Sequence, residues 1–483
     1  MTSKHAQERS FLGHSRALLT LSSMELWERF SFYGTQGILL IYLYHSMAEG
    51  GLGLSQPTAL GLLGAYGSAV YLSTILGAWF ADRVLGSERT VFYSGIIVML
   101  GHISLAVLPG TGGLAAGLTL VAVGSGGVKS SCGAIVGALY QHDHGRRDSA
   151  FSLFYLAINV GGMAGPAITG LLQQQAGFHY AFGAAAVGMA FGLMVYTRGR
   201  HRIPESERRA PSPLSVRERR VFSLSALGVV AIVALLLVTG TLTATRLGPL
   251  LFTVTAVVAL TYFIVMLLSR NVTHTERPQV IVFIPIFLAS SVFWALYVQS
   301  FGVFIAFFEQ RVDRTLFGWA MPVSWYNSME SLMAIVLAGA FAALWSRLGK
   351  HQPSSTAKFV IALFLIAISF TAYYPFLGQS DHQMPLVAQL MQLFIFTSAE
   401  IFLAPIGMSL AIKLAPQAFK SQMLALFYLS LAFGLAGGGV LGSYYNEQQE
   451  VSWFLGMAAF GALAAILLWC AAPLIRRVAP HAY

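Results

Sequence analysis

Fourteen apolar runs follow one another along this chain, most of them long enough to cross a bilayer. A helix needs roughly 20 apolar residues to span the hydrocarbon core, so these runs constrain the fold before any single residue is weighed. They are read at about 17–45, 57–81, 90–109, 113–140, 149–174, 178–197, 221–243, 248–269, 279–308, 321–346, 357–377, 384–413, 418–444 and 450–475. Only 10% of the residues are charged, where a soluble domain carries roughly 25%. The pattern predicts an all-α polytopic membrane protein with fourteen transmembrane helices. Several runs exceed the bilayer thickness, which predicts tilt or kinks, with Pro166, Pro285 and Pro405 as candidate kink sites. No cleavable signal peptide is read, because the polar leader MTSKHAQERSFLGHSR precedes an apolar run too long for a signal core.

The charges that remain set the topology. Of 29 Lys and Arg, 24 fall on one side if the N-terminus is inside. Three, Arg246, Arg311 and Arg314, fall on the other side, and two, Arg29 and Lys129, lie within runs. The positive-inside rule then places both termini in the cytoplasm of a cell (inner or plasma) membrane. The same bias accounts for the net charge of +10 without a nucleic-acid partner. The longest charged stretch, RGRHRIPESERRAPSPLSVRERR at 198–220, is the main linker, and two runs without a buried acid or base follow it. The expected organisation is an N-terminal six-helix bundle over 1–197, a linker with two inserted helices over 198–278, and a C-terminal six-helix bundle over 279–483. A 6 + 2 + 6 chain suggests two pseudo-symmetric halves with a site between them.

Each ionisable group at membrane depth costs at least roughly 2.5–3.5 kcal/mol on insertion scales, so each needs a reason. Those found are Glu25, Glu28, Arg29, Lys129, Glu330 and Glu400, with Glu309 at the outer edge of its run. At about 100° per residue, Glu25, Glu28, Arg29, Phe32, Tyr33 and Gln36 share one helix face. That face reads either as the wall of a water-filled path or as an interfacial cluster snorkelling to the cytoplasm. Lys129 lies mid-run and needs a counter-charge, for which Glu25 and Glu28 are candidates. A Lys–Glu pair is either a purely structural buried pair or a proton-linked switch, since protonating the acid releases the lysine to a ligand carboxylate. Glu400 can attract a ligand ammonium. The glycines of GSGG at 124–127 read as close helix packing, because they lie inside an apolar run without the spacing of a phosphate loop. Cys132 and Cys470 form no disulfide or metal pattern. No metal, cofactor or catalytic group is expected, since the chain has no metal-ligand spacing and no nucleophile elbow.

Several spaced motifs carry a resemblance. GAWFADRVLGSERT at 77–90 resembles the loop signature of the major facilitator superfamily. Glu25-x-x-Glu28-Arg29-Phe30-x-x-Tyr33-Gly34 resembles the ExxERFxYYG motif of the proton-dependent oligopeptide transporter family. SGGVKSS at 125–131, FSLFYLAINVGG at 151–162, VFWALYVQ at 292–299, AEIFLAPIG at 399–407 and LAPQAFKSQM at 414–423 are similar to further segments of that family. The resemblance implies a major-facilitator fold and a symporter that takes up di- and tripeptides with protons. It implies proton-coupling roles for Glu25, Glu28, Arg29, Lys129 and Glu400. It implies peptide contacts for Tyr33, Tyr71, Lys129, Asn159, Trp294 and Glu400. Asn159 can equally be a structural hydrogen bond, and the aromatics core packing. The expected partners are a small peptide, protons and the bilayer, and the chain is read as a monomer.

The chain departs from the family pattern at named positions. Phe32 stands where many members have Tyr, Gln36 where many have Arg, and Val298 where many have an acid. Phe427 stands where a tryptophan is usual. The missing Arg and acid can pair across the halves in other members, so the outer side here is expected to close by another route. Glu330, in VSWYNSMESL, is an extra acid where many members have an Asn-Pro step. It faces the cavity, pairs with a base, titrates, or serves a structural or outer-vestibule role. Gln36, Glu330 and Phe427 are therefore possible further site residues. Two rivals stay open: a relative carrying nitrate or a peptide-like metabolite, and, with nothing in the motifs for it, a membrane enzyme.

Overall fold

The computed structural model describes residues 13–141, 144–241, 243–378 and 384–480. In chain order its helices are α1 (Arg16–Tyr44), α2 (Gln56–Phe80), α3 (Ser87–Val107), α4 (Gly110–Leu139) and α5 (His144–Ala176). Next come α6 (Phe178–Gly199), α7 (Val216–Val238), α8 (Ala244–Leu268), α9 (Arg277–Tyr297) and the short α10 (Val303–Arg311). The series ends with α11 (Trp325–Leu348), α12 (Ser355–Thr371), α13 (Leu386–Lys413), α14 (Lys420–Gly442) and α15 (Glu450–Val478). Among the described residues, 12 helical segments are long and apolar enough to cross a membrane, α9 and α10 counting as one over Arg277–Arg311. The other two long helices are α1, which holds Glu25, Glu28 and Arg29, and α7, whose first turn holds Arg217, Glu218, Arg219 and Arg220. These helices match the predicted runs in order, and the protein is an all-α polytopic membrane protein.

Two local features differ from the sequence reading. The run expected from 321 begins its helix at Trp325, because a two-stranded hairpin of Thr315–Leu316 with Trp319–Ala320 and then Pro322 come first. Phe317 (φ 52°) and Gly318 (φ 81°) form its turn, with the positive φ pair that a tight hairpin requires. The second difference is a break in the run read as 279–308. The helix passes through Pro285 and breaks later, at a 3-10 turn over Val298–Ser300. Gln299 Nε2 covers Ala295 O there at 3.1 Å and also donates to Gly438 O of α14 at 2.9 Å. Asn327 Nδ2 donates to Ser300 O at 3.2 Å. Irregular backbone at membrane depth needs such partners, since no water in the hydrocarbon core can supply them.

The chain packs as two compact units. One takes the chain up to Ile38 and from Leu72 to Arg246; the other takes Leu39 to Tyr71 and the chain from Leu247 onward. Packing defines these units, while the 1–197, 198–278 and 279–483 division is one of topology, so the units do not decide it.

In the first unit glycines let helices touch. A Cβ on Gly161 would meet Leu26 O at 2.2 Å, and one on Gly165 would meet Phe30 O at 2.3 Å. These contacts clamp α5 to α1, with Thr169 Oγ1 donating to Gly34 O at 2.9 Å. The GSGG segment is packing of the same kind. A Cβ on Gly126 would meet the Ser73 backbone at 2.3 Å, and one on Gly124 would meet Ser94 O at 2.7 Å. In the loop signature, Arg83 pairs with Glu218 at 2.6 Å, and Ser212 and Leu214 of the linker donate backbone N–H groups to the carbonyls of Asp82 and Arg83. The second unit is built around packed aromatics, Phe304, Phe370, Tyr373 and Phe454, with Phe304 stacked on Phe454. Its α14 lies against α9 through Gly434 and Gly438.

Candidate functional site

The buried charges of the first unit begin on α1. Arg29 Nε stands 3.1 Å from Glu25 Oε1, and an Arg29 terminal nitrogen stands 2.6 Å from Glu28 Oε2. The three side chains are at most 3% exposed. A guanidinium can serve two carboxylates at once because its donors form a planar fork. The i,i+4 spacing puts Glu25 and Arg29 together on one helix face, and Glu28, the residue before Arg29, closes on it at 2.6 Å in the packed structure. The clamp of Gly161 and Gly165 onto Leu26 and Phe30 then seats that face against α5.

Lys129 of α4 joins the cluster. Its charge acts on Glu25 and feels Glu28, Glu25 and Arg29. Its ammonium lies 5.6 Å from the centre of the Phe32 ring, and the Arg29 guanidinium lies 5.3 Å from the same centre. Tyr33, half-buried, receives Arg29 at 6.0 Å. Thus Glu25, Glu28, Arg29, Lys129, Phe32 and Tyr33 are brought together. Two acids and two bases are nearly balanced in charge. Each proton added to an acid leaves one positive charge for an incoming carboxylate. Gln36 is buried higher on α1. Asn159 on α5 donates its Nδ2 to Tyr155 O at 3.0 Å, a bond within its own helix.

The second unit carries an acidic cluster. Glu400 on α13 is half-buried, and Glu330 on α11 is 4% exposed. Tyr297, the last α-helical residue before the break in α9, bears electrostatically on both carboxyls. Asn327 Nδ2 donates to Glu330 Oε2 at 3.4 Å. Tyr297 lies within the VFWALYVQ segment, and nothing local marks it. Its role arises where a helix break meets two other helices. Trp294 packs edge-on to Tyr297 with ring centroids 5.1 Å apart, and its buried Nε1 meets no acceptor among the described residues. Tyr71, at the end of the α2 portion belonging to this unit, is half-buried. Val298 lies against Gly438, where a Cβ would meet it at 2.4 Å. Phe427 fills the notch at Gly407, where a Cβ would meet its ring at 2.3 Å. An open surface cleft of about 490 Å³, lined by Trp79, Arg83, Leu214, Arg217 and Glu218 among others, holds none of these residues.

Glu309, at the outer edge of its run, makes specific contacts. The Tyr44 hydroxyl donates to its Oε2, and His45 Nε2 lies 2.8 Å from its Oε1.

The sequence matches the family model described as POT family over residues 88–463. The chain belongs to the POT family. Among its relatives, the uncharacterized transporter YclF of Bacillus subtilis is 35% identical, covering 98% of this chain and 97% of its own. A di-/tripeptide transporter of Lactococcus lactis subsp. cremoris is 35% identical, covering 97% of both chains. Among solved structures, a mutant of peptide transporter POT in complex with alafosfalin matches with a TM-score of 0.92 and 35% identity, covering 98% of this chain and 97% of that one. Family membership makes this POT chain a transporter and not an enzyme, with a major-facilitator fold in a membrane.

Proposed function

We propose that this POT-family protein is a symporter that takes di- and tripeptides into the cell with protons by alternating access. The observation that carries the reading is the Arg29 guanidinium held by Glu25 and Glu28 beside Lys129. With both acids ionised, the two bases are neutralised. Protonation of one acid releases a base toward a peptide carboxylate, and Glu400 offers the opposite charge to the peptide ammonium. A zwitterionic peptide then travels with the proton that made room for it. Peptide transport is also what the Lactococcus relative is named for.

In this reading Tyr33, Tyr71 and Trp294 contact peptide side chains, and Asn159 contacts the peptide backbone. The monomer is the working unit, since one chain supplies both charged clusters. The bias of 24 Lys and Arg to one side supports a cell-membrane protein with both termini in the cytoplasm. The three-part division at 197 and 278 describes the chain's topology.

The test is uptake of labelled dialanine into liposomes holding the purified protein. An inward proton gradient is expected to drive accumulation, and Lys129→Ala is expected to abolish it. Uptake indifferent to collapse of the gradient would sink the coupling. Normal driven uptake by Lys129→Ala would make the lysine structural.

A further inference from the structure

The cleft of about 490 Å³ on the first unit takes no part in transport as proposed above, and its two walls are built alike. One wall is the end of α2, where Trp79 is followed four residues later by Arg83. The other is the start of α7, where Arg217 and Glu218 are followed four residues later by Val221 and Phe222. Four residues of helix advance about 6 Å, so each wall has charge at one level and apolar side chains one turn away. The levels coincide because the walls run antiparallel. Arg83 meets Glu218 at 2.6 Å, and the rings of Trp79 and Phe222 lie 4.8 Å apart between centroids. The volume is within the roughly 300–1,000 Å³ of small-molecule sites.

The linker holds this geometry in place. After α2 the chain makes one wide π turn over Ala81–Leu85, closed by Gly86 N donating to Ala81 O at 3.0 Å. A Cβ on Gly86 would meet the Arg208 carbonyl carbon at 2.6 Å, so the linker lies directly on that turn. Ser212 N and Leu214 N then donate to Asp82 O at 3.0 Å and Arg83 O at 3.1 Å, and α7 starts two residues on, at Val216. Glu218 is the one acid among the lining residues, and both of its oxygens are engaged. Oε1 takes Arg83, and Oε2 accepts the Ser215 backbone N–H at 2.8 Å. Arg217 is exposed beside it and forms no ion pair among the described residues. The lining therefore keeps one uncompensated positive charge at its polar level.

We propose that this cleft binds an anionic phospholipid, with the phosphate against Arg217 and Arg83 and the start of the acyl chains along Trp79, Phe222 and Val221. Charge followed by apolar surface is the order of a lipid read from headgroup to chain. Basic pockets between membrane helices suit anionic headgroups, and tryptophan favours the level where headgroup meets chain. Val221 is 57% exposed and Leu224, on the next turn, 63% exposed, so the apolar surface continues away from the arginines. A free phosphate would leave that surface uncovered. A zwitterionic headgroup would bring its own cation against Arg217. The lipid ties α7 to the end of α2, adding to the Arg83–Glu218 pair and the ring contacts. The inference is independent of the peptide-symport reading.

The test is native mass spectrometry of the purified protein in detergent, with dioleoylphosphatidylglycerol, dioleoylphosphatidylcholine or soluble glycerol phosphate added at equal concentration. Wild type is expected to hold one phosphatidylglycerol about tenfold more tightly than phosphatidylcholine. Glycerol phosphate is expected to bind about tenfold more weakly than the lipid, since it cannot cover Trp79 and Phe222. Removing one interfacial charge in Arg217→Gln is expected to weaken phosphatidylglycerol binding about fivefold, and reversing it in Arg217→Glu about thirtyfold. Arg219→Gln and Arg219→Glu make the same charge changes outside the cleft lining and are expected to stay within about threefold of wild type. Equal retention of phosphatidylglycerol and phosphatidylcholine overturns the proposal, and so does equal loss in the Arg217 and Arg219 variants. Glycerol phosphate binding as tightly as the lipid overturns the lipid in favour of a free anion. If Arg217→Glu does not fold, the pair Arg217→Gln and Arg219→Gln decides in its place.

Discussion

The Lys129 ammonium stands 5.6 Å from the centre of the Phe32 ring. The same ring takes Arg29 at 5.3 Å, so one aromatic ring serves both cations. Many relatives have tyrosine here, yet the ring face, and not a hydroxyl, makes this contact. Each cation–π contact is worth about 1–2 kcal/mol in a desolvated setting, which corresponds to roughly tenfold in an equilibrium. Phe32→Ala is therefore expected to lower gradient-driven uptake about tenfold, while Phe32→Tyr stays within about threefold of wild type. Parallel uptake assays in liposomes check this, and equal loss in both variants would show that the ring face is not what matters.

The contact of α5 with α1 depends on two missing methyl groups. Gly165→Ala would drive a Cβ to 2.3 Å from Phe30 O, a distance that requires the backbone to shift. Overpacking of that kind costs about 1–3 kcal/mol. Gly133→Ala on α4 is the control, since its Cβ would meet nothing within 4 Å. Thermal unfolding in detergent is expected to show a lower Tm for Gly165→Ala and no fall for Gly133→Ala. A Gly165→Ala Tm equal to wild type would remove the clamp from the account of how Arg29 is seated.

Glu276 ties the loop before α9 to the segment before α14. Its Oε1 accepts the Gln417 backbone N–H at 2.9 Å, and its Oε2 accepts the Thr273 backbone N–H at 3.0 Å and hydroxyl at 2.8 Å. These donors, the Gln417 N–H foremost, hold the carboxyl below its ordinary range. A depressed folded pKa contributes stability above the unfolded value, near 4.3, that is lost as pH falls through the folded one. Glu276→Gln is expected to have a lower Tm than wild type at pH 7. The gap is expected to close as the pH is taken below about 4. A gap that stays constant with pH would mean that the charge of Glu276 contributes nothing.

The sequence discloses what is local. The acid–base face of α1 is readable because its members sit within four residues of one another, where helix geometry puts Glu25 and Arg29 together. The need of Lys129 for a counter-charge follows from its depth in a run. Glu330 stands out for the same reason, but its neighbours do not. Tyr297 and Glu400 reach it from helices 33 and 70 positions away in the chain, through a helix break that no proline marks. The break itself falls at Val298–Ser300, 13 residues past the Pro285 that sequence rules favour. The position of Glu309 at the edge of its run is legible, and only packing shows that α1 ends against it.

That last contact gives a further prediction. Tyr44 and His45 close the end of α1 on Glu309, with His45 Nε2 at 2.8 Å from Oε1, in a chain that has Gln36 and Val298 where many relatives carry a charged pair. The pairing also orders the turn that follows, where Gly53 N donates to His45 O at 2.7 Å and Leu52 N to Tyr42 O at 2.9 Å. A net hydrogen bond is worth about 0.5–1.5 kcal/mol, so Glu309→Gln, which disturbs two, is expected to raise amide hydrogen exchange across residues 45–54 roughly severalfold. Tyr44→Phe, which removes one of the two donors, is expected to give a smaller rise. The measurement is exchange detected by mass spectrometry on the purified protein. If exchange over 45–54 is the same in all three proteins, Glu309 does not hold the end of α1, and the order of that turn comes from its backbone hydrogen bonds alone.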